Sequence, residues 1–436
     1  MLKLSFPTRK LKGSLIKITD KYKNFENKTL QAYGVTNKEG IVITGKNISD
    51  DTSNYTVITG KTFVYNPYRI NVGSIGLTDD DFKGIVSPAY VAFKVKDDIL
   101  PEFLLLYLKS SLGINLIKWY GDRGGVRSAL RFNDLEKIDF PDLSYEQQEE
   151  ALKNINKFIK IQNTLNQEME NQITYISKFR QSILQDAIQG KLVPQDPTDE
   201  PASELLKKIK EEKEQLIKEG KLKKEKCIIL DNNYKIVIPK NWCMCVVQDI
   251  SLKVTDGEHS TPQRVNSGYV LLSARNVTNQ GLKLDNVDYV DESEFNRIRK
   301  RCNPNKKDIL ISCSGSVGRV CLADKDNCYV MVRSVAMVRL HKKIHPEYLV
   351  YVLKSDFLQK QIQKSSKITA QANLFLGKII ELQIPLPPAE EQKRIVARLD
   401  VLMQLCDKLE NENNNAQKYS SELLQTIMQK YFTPEV

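Results

Sequence analysis

The stretch "KFRQSILQDAIQGKLVP" at 178–194 returns 240 positions later as "KYSSELLQTIMQKYFTP" at 418–434. Both copies keep the lysine, the aromatic after it, the apolar pair Ile183/Leu184 against Leu423/Leu424, two glutamines and the closing proline. Further back, "FPDLSYEQQEE" (140–150) stands opposite "IPLPPAEEQKR" (384–394), and "PEFLLLYLKSS" (101–111) opposite "PEYLVYVLKSD" (346–356). "VGSIG" (72–76) resembles "SGSVG" (314–318), and "VSPAYVAFKV" (86–95) parallels "VRSVAMVRLH" (332–341). The order is the same twice: Gly-Ser turn, strand, Pro-Glu helix, loop, long helix. Two copies are too few for a solenoid. A tandem duplication with a pseudo-two-fold arrangement inside one chain is the natural reading.

The repeated segments end two long helical patterns. In 145–190 the apolar positions Leu152, Ile155, Phe158, Leu165, Met169, Ile173, Ile176, Ile183 and Ala187 recur mostly every three or four residues. In 391–432 the same holds for Ile395, Leu399, Leu402, Leu405, Leu409, Ala416, Leu423 and Ile427. Neither stretch contains proline, and each predicts a helix of roughly 60–70 Å at 1.5 Å per residue. Such a helix with an apolar stripe needs a partner, and the other copy is the obvious one, running antiparallel. Ordinary bundling or a homo-oligomeric coil is the alternative on periodicity alone. Between the halves, 195–226 holds a Pro/Asp-rich turn and a charged helix, starting near Ser203 or Thr198, stopping at Gly220, and read as solvated surface or a strap on the coil.

At 436 residues the chain exceeds one ordinary core. Its 65 Lys+Arg against 54 Asp+Glu leave a surplus of +11, which favours a polyanionic partner, nucleic acid before membrane. No apolar run approaches the roughly 18 residues of a membrane span. "MLKLSFPTRK" lacks an apolar core of signal-peptide length, which predicts a cytoplasmic protein. All eight cysteines follow residue 226 without a CxxC pair or histidines at zinc-site spacing, so no metal site is expected and the thiols read as reduced.

The globular halves read as mixed strand and helix, an α+β class. Their loops say most about a ligand. "KWYGDRGGVRSALRF" (118–132) sets Arg123, Arg127 and Arg131 among glycines and aromatics, a composition suited to phosphate pairing and guanine recognition. The corresponding loop "QKSSKITAQANLF" (363–375) carries Lys364, Lys367, Gln371 and Asn373, and Gln/Asn read adenine bidentately. Similar position with different readers implies two DNA half-sites of different sequence.

Catalytic motifs are approached and missed. "GIVITGKN" (40–47) has P-loop spacing, but Asn47 replaces the Mg²⁺-holding Ser/Thr. "SGSVG" lacks the first glycine of a hydrolase elbow. "NPYR" (66–69) misses the adenine-methyltransferase tetrapeptide at Tyr68, so no catalytic residue is expected.

The segments 178–226, "IPKNW" (238–242), "TDGEHSTP" (255–262), "LLSARNV" (271–277), "SGSVGRV" (314–320) and "IPLPPAEEQKRIVARLD" (384–400) closely resemble the specificity subunit of Type I restriction-modification systems; "FVYNPYRINVGSIG" (63–76) also looks like a target-recognition segment of that family. The resemblance implies two target-recognition domains, 1–140 and 227–385, each reading part of a split, asymmetric DNA sequence. Spacer helices over 141–194 and 386–436, with a linker at 195–226, would join them as a ruler. A four-residue insertion after Gln189 would then shift the spacer between half-sites. It also implies two methyltransferase (modification) subunits as partners, possible restriction subunits, no cofactor in this chain, and S-adenosylmethionine, ATP and Mg in the partners. In that frame the DNA-binding candidates are Arg69, Gly73, Ser74, Arg123, Arg127 and Arg131 in the first half. Those of the second are His259, Thr261, Arg275, Asn276, Ser316, Arg333, Lys364, Lys367, Gln371 and Asn373. Partner docking falls to the outer helix starts, Gln147, Gln148 and Glu150, and Gln392, Lys393 and Arg394. An orphan DNA-binding protein or a coiled-coil scaffold without DNA affinity would use the same chain.

Overall fold

The computed structural model describes residues 7–25, 30–44, 51–122, 128–231, 233–366 and 372–433. The chain forms two compact units, one inserted into the other in sequence: 172–412 lies between 1–171 and 413–436, which together make the first. The two long helices, Tyr145–Ile188 and Ala389–Phe432, are each 44 residues. Each begins in its own half and finishes in the other unit.

Each unit repeats one architecture of short strands and short helices. In the first, Leu15–Lys17, Val91–Val95, Phe63–Tyr65 and Ile75–Leu77 form an antiparallel sheet in that order. In the second, Ser251–Asp256, Val335–Leu340, Ile309–Ser312 and Val320–Leu322 do the same. A further sheet contains one parallel pair in each case, Ala32–Thr36 with Lys83–Val86 and Tyr269–Leu272 with Tyr329–Met331. The P-loop-like stretch begins as strand Gly40–Ile43, while Gly45, Lys46 and Asn47 lie outside the described residues.

The Pro-Glu helices Pro101–Lys109 and Pro346–Lys354 start with proline at the first turn, where its missing N–H costs nothing. Each is stopped by a serine that also opens the next helix. Ser110 Oγ donates to Tyr107 O at 2.6 Å and accepts from Gly113 N, and Ser355 Oγ donates to Val352 O at 2.6 Å. Gly113 permits the tight corner, since a Cβ there would lie 2.1 Å from the Tyr107 carbonyl oxygen.

The repeated stretch explains itself at this level. Ile183, Leu184, Ala187 and Ile188 enter the core of the second unit with Trp242, Leu349 and Ile384. Leu424, Met428 and Phe432 enter the core of the first with Phe103, Tyr107 and Phe140. The chain writes the segment twice because each copy closes the globular core belonging to the other half.

Within each unit the long helices pair antiparallel. In the first, Asn413 Nδ2 donates to Met169 O and Gln162 Nε2 to Ser420 O, both at 3.2 Å. In the second, Arg180 bridges Asp407 at 2.6 Å and Glu410 at 2.9 Å. Leu399, Cys406 and Asn413 are buried at heptad spacing, and a polar residue at one such position favours a single register. The apolar stripe is wider than this seam. Phe158, Leu165, Leu405, Leu409 and Leu423, expected inside, are exposed, because a two-helix pair covers only a narrow strip of each helix.

The linker helix is Ala202–Lys218, with Pro201 before it in place of a Ser or Thr cap, and Gly220 follows with φ +71°. It is part of the second unit's core, burying Ala202, Leu205 and Ile209. Glu212 joins it to the strand end through Lys343 at 2.7 Å and the buried His341 at 3.0 Å. Lys343 holds the Glu212 carboxyl down, to about 2, and burial lowers His341. Both groups bind protons more weakly when docked than when free. Docking strength is therefore full above the ordinary histidine range, declines as pH falls below it, and falls again between the carboxylate's usual 4.5 and about 2. Limited proteolysis should cut 195–226 faster as pH drops from 7 to 3, and Glu212→Gln should flatten the carboxylate part of that dependence.

All eight cysteines are free, and burial pushes the thiols of Cys302 and Cys313 up to about 12. The buried ones, Cys245, Cys302, Cys313, Cys321 and Cys406, act as small apolar core residues. Among the described residues no helix is long and apolar enough to cross a membrane, and no His/Cys/Asp/Glu group could hold a metal ion.

Candidate nucleic-acid interface

In the second unit four loops converge on one cleft of about 370 Å³, lined by Asp256, His259, Ser314, Arg333, Asn373 and Phe375 among others. Backbone bonds hold the loops in place. Glu258 N donates to Met331 O at 2.7 Å, Arg333 N to Glu258 O at 2.9 Å, Cys313 N to Ser334 O at 2.8 Å, and Leu374 N to Cys313 O at 2.9 Å. Gly257 is the point of closest approach, since a Cβ there would lie 2.2 Å from the Met331 carbonyl oxygen. The "TDGEHSTP" segment is thus pressed onto the strand end, with His259 and Thr261 exposed.

Charges around the cleft are ordered by ion pairs. Asp256 contacts Arg301 and His259 Nε2, the latter at 2.7 Å. Glu258 pairs with Arg297 at 3.1 Å, and hydrogen bonds from Ser260 lower its pKa. Arg333 is exposed and makes no side-chain ion pair or hydrogen bond among the described residues, which leaves its guanidinium available. Arg275 is exposed but paired with Asp288 at 3.0 Å. Lys364 lies apart, over the Tyr234 ring at 5.2 Å, in a separate groove with Gln361 and Lys378.

The first unit presents a related surface. Asn66 accepts from Tyr68 N at 3.0 Å, an Asx turn that fixes the "NPYR" loop and leaves Tyr68 and Arg69 exposed. Leu130 N donates to Pro67 O at 3.0 Å, as Leu374 N does to Cys313 O, and the exposed Arg131 follows at once. Arg123, Arg127, Lys367 and Gln371 lie outside the described residues.

Several expected contacts are corrected. Ser74 is buried beneath its turn and cannot reach a duplex. Gly73 serves the turn itself with φ +89°; its equivalent is Gly318, φ +87°, because each stands two residues before the strand that follows. Matching "VGSIG" to "SGSVG" from their first residues is therefore out of register. Ser316 sits exposed between Gly315 and Gly318, its carbonyl accepting from Ser312 Oγ at 2.6 Å. Asn276 is buried, accepting from Ser273 N and donating to Lys283 O and Asn286 O, so it shapes its turn and reads nothing.

The docking candidates divide in the same way. Gln148 is buried, accepting from Leu100 N at 2.9 Å and donating to Asp98 O and Leu143 O. Gln392 is its counterpart, accepting from His345 N at 2.9 Å and donating to Pro387 O. Each clamps the start of its Pro-Glu helix, and neither faces outward. Arg394 is held by Asp199 at 2.6 Å, tying the linker down. Glu391, buried beside them, accepts from Trp242 Nε1 at 2.9 Å, and burial raises its pKa. Gln147, Glu150 and Lys393 remain exposed. Missed by the sequence reading were Ser314, Phe375 and the Asp256/Arg301 and Glu258/Arg297 pairs; aligning "NLF" with "ALR" would have singled out Phe375.

Residues 259–417 match the family model described as the Type I restriction modification DNA specificity domain. The chain is 29% identical over 257 residues to the EcoEI specificity subunit of Escherichia coli, covering 56% of this chain and 43% of that protein. It is 27% identical over 265 residues to the EcoBI specificity subunit of Escherichia coli, covering 60% and 50%. The chain spans about half the length of these curated relatives. In fold it is similar to a chain solved in work on assembly and conformational transition of the type I R-M system, with TM-score 0.72, 16% identity and all of both chains covered. It is also similar to the HsdS subunit from Thermoanaerobacter tengcongensis, with TM-score 0.57, 17% identity, and 99% and 97% covered. The domain match and these relatives agree in what the chain is similar to, the specificity subunits of Type I restriction-modification systems, and its twice-built fold is like that of the two solved chains.

Proposed function

We propose that this chain reads a bipartite, asymmetric DNA sequence for a Type I restriction-modification complex, one part with each globular unit. The observation that carries this reading is that two copies of one scaffold hold equivalent exposed positions with different side chains, Arg131 against Phe375. A duplicated scaffold with unlike readers suits two unlike half-sites better than one symmetric site. The chain carries no chemistry of its own in this reading. Methyl transfer to adenine, and any ATP-driven cleavage, belong to modification and restriction subunits that would hold S-adenosylmethionine, ATP and Mg. Two modification subunits are the expected complement of the duplicated helices, and the cytoplasm is the expected compartment.

The test is genome-wide mapping of methylated adenines in cells carrying this chain with its modification partner, beside cells with the partner alone. A split motif seen only with this chain supports the reading. A stable complex without a new motif refutes it, and absence of both complex and DNA binding favours the scaffold.

Binding to a duplex holding the mapped motif should weaken steeply with salt. Replacing Arg69 or Arg333 by alanine should lower the slope of log affinity against log salt by about one if the side chain meets a phosphate. Anisotropy titrations across salt check this, and a salt-independent association would remove the phosphate contacts. The ruler role is tested with matched four-residue insertions inside both long helices, because the first ends at Ile188 and an insertion after Gln189 falls beyond it. A shifted spacer is expected.

A further inference from the structure

Two short stretches occupy the same place in the two units. Ala129-Leu130-Arg131-Phe132 and Asn373-Leu374-Phe375-Leu376 each pin a buried leucine to the loop after a central strand and then open a short helix, Phe132–Leu135 or Leu376–Ile380. A short strand follows each, Asp139–Pro141 or Gln383–Leu386. With the leucine buried and its N–H bonded, the backbone is fixed, and the next side chain has to point away from the core. That side chain is Arg131 in the first unit, exposed and without a side-chain partner among the described residues. In the second it is Phe375, 60% exposed at the lip of the cleft that Asn373, Arg333 and His259 also line.

A large ring held on a fixed loop beside an amide and a guanidinium is matched by a surface that offers an apolar group next to a donor–acceptor pair. The major-groove edge of an A·T pair offers both, adenine N6 and N7 for Asn373 and the thymine C5 methyl for Phe375. An arginine at the equivalent place matches guanine O6 and N7.

We propose that positions 131 and 375 determine base specificity: Phe375 with Asn373 takes an A·T pair in the half-site of the second unit, and Arg131 takes a G·C pair at the corresponding place of the other. This rests on the DNA-recognition reading above and names the residues that would set it.

The experiment maps methylated adenines in cells carrying the modification partner with wild-type chain, Phe375→Ala, Phe375→Leu or Arg131→Ala. Phe375→Ala is expected to relax one A·T position of one half-site by roughly tenfold, leaving the other half-site unchanged. Phe375→Leu, still apolar, should largely retain that preference, and Arg131→Ala should relax a G·C position in the opposite half-site. An unchanged motif in Phe375→Ala, or relaxation spread over both half-sites, overturns the proposal. So does loss of all methylation in both Phe375 variants, since the residue then serves the fold. A wild-type chain that yields no split motif instead overturns the underlying reading.

Discussion

Phe432→Ala should remove about 3–5 kcal/mol from the N-terminal unit while leaving the central unit folded, the usual cost of deleting a fully buried aromatic. Phe432 lies near the C-terminus, yet its ring packs edge-on against Phe103 at 5.4 Å and Tyr107 at 5.3 Å, far back in sequence. Met428 and Leu424 sit on the same face of the helix and line the same core. The substitution opens a cavity against rings that cannot collapse into it, because Tyr107 is itself tied to Asp139 O at 2.5 Å. Hydrogen exchange resolved by peptide checks this. Protection should fall over 101–121 and hold over 346–366. The counterpart of Phe432 in the first copy is Leu192, only partly buried against the second unit's core, so Leu192→Ala should cost less and spare the N-terminal unit. Equal loss in both units on Phe432→Ala would refute the exchange of closing segments.

Gln392→Leu and Gln148→Leu should each destabilise their own unit by about 3 kcal/mol. Leucine matches the volume but leaves the His345 or Leu100 N–H and the facing carbonyls buried without partners, and each such group costs roughly 1–3 kcal/mol. Urea unfolding of the single variants measures it. A docking role at the protein surface predicts the opposite pattern, unchanged stability with loss of the modification subunit. Exposed Gln147 and Lys393 should follow that second pattern if these helix starts meet a partner at all.

The two glutamines also mark where reading from sequence stops. "EQQEE" and "EEQKR" are polar runs at helix starts, and polarity alone assigns them to solvent. What decides otherwise is long-range: strand ends and Pro-Glu helix starts that lie about fifty residues upstream in sequence bring orphan backbone groups to Gln148 and Gln392. Asn276 and Ser74 mislead for the same reason, since a polar side chain in a turn can serve the turn or a ligand with the same residue type. Phe375 is the converse, an apolar residue that composition assigns to the core and the fold leaves outside.

The sequence by itself determined the duplication, the mixed α+β halves and the two long helices, because these rest on periodicity and on repeated turn chemistry, which are local. Only the tertiary structure decided that the end of each long helix belongs to the core of the other half, that the charged linker is part of the second core, and which loop residues share a cleft. Those outcomes depend on contacts between segments up to hundreds of residues apart, where burial and hydrogen-bond satisfaction outweigh any preference written in the neighbouring residues.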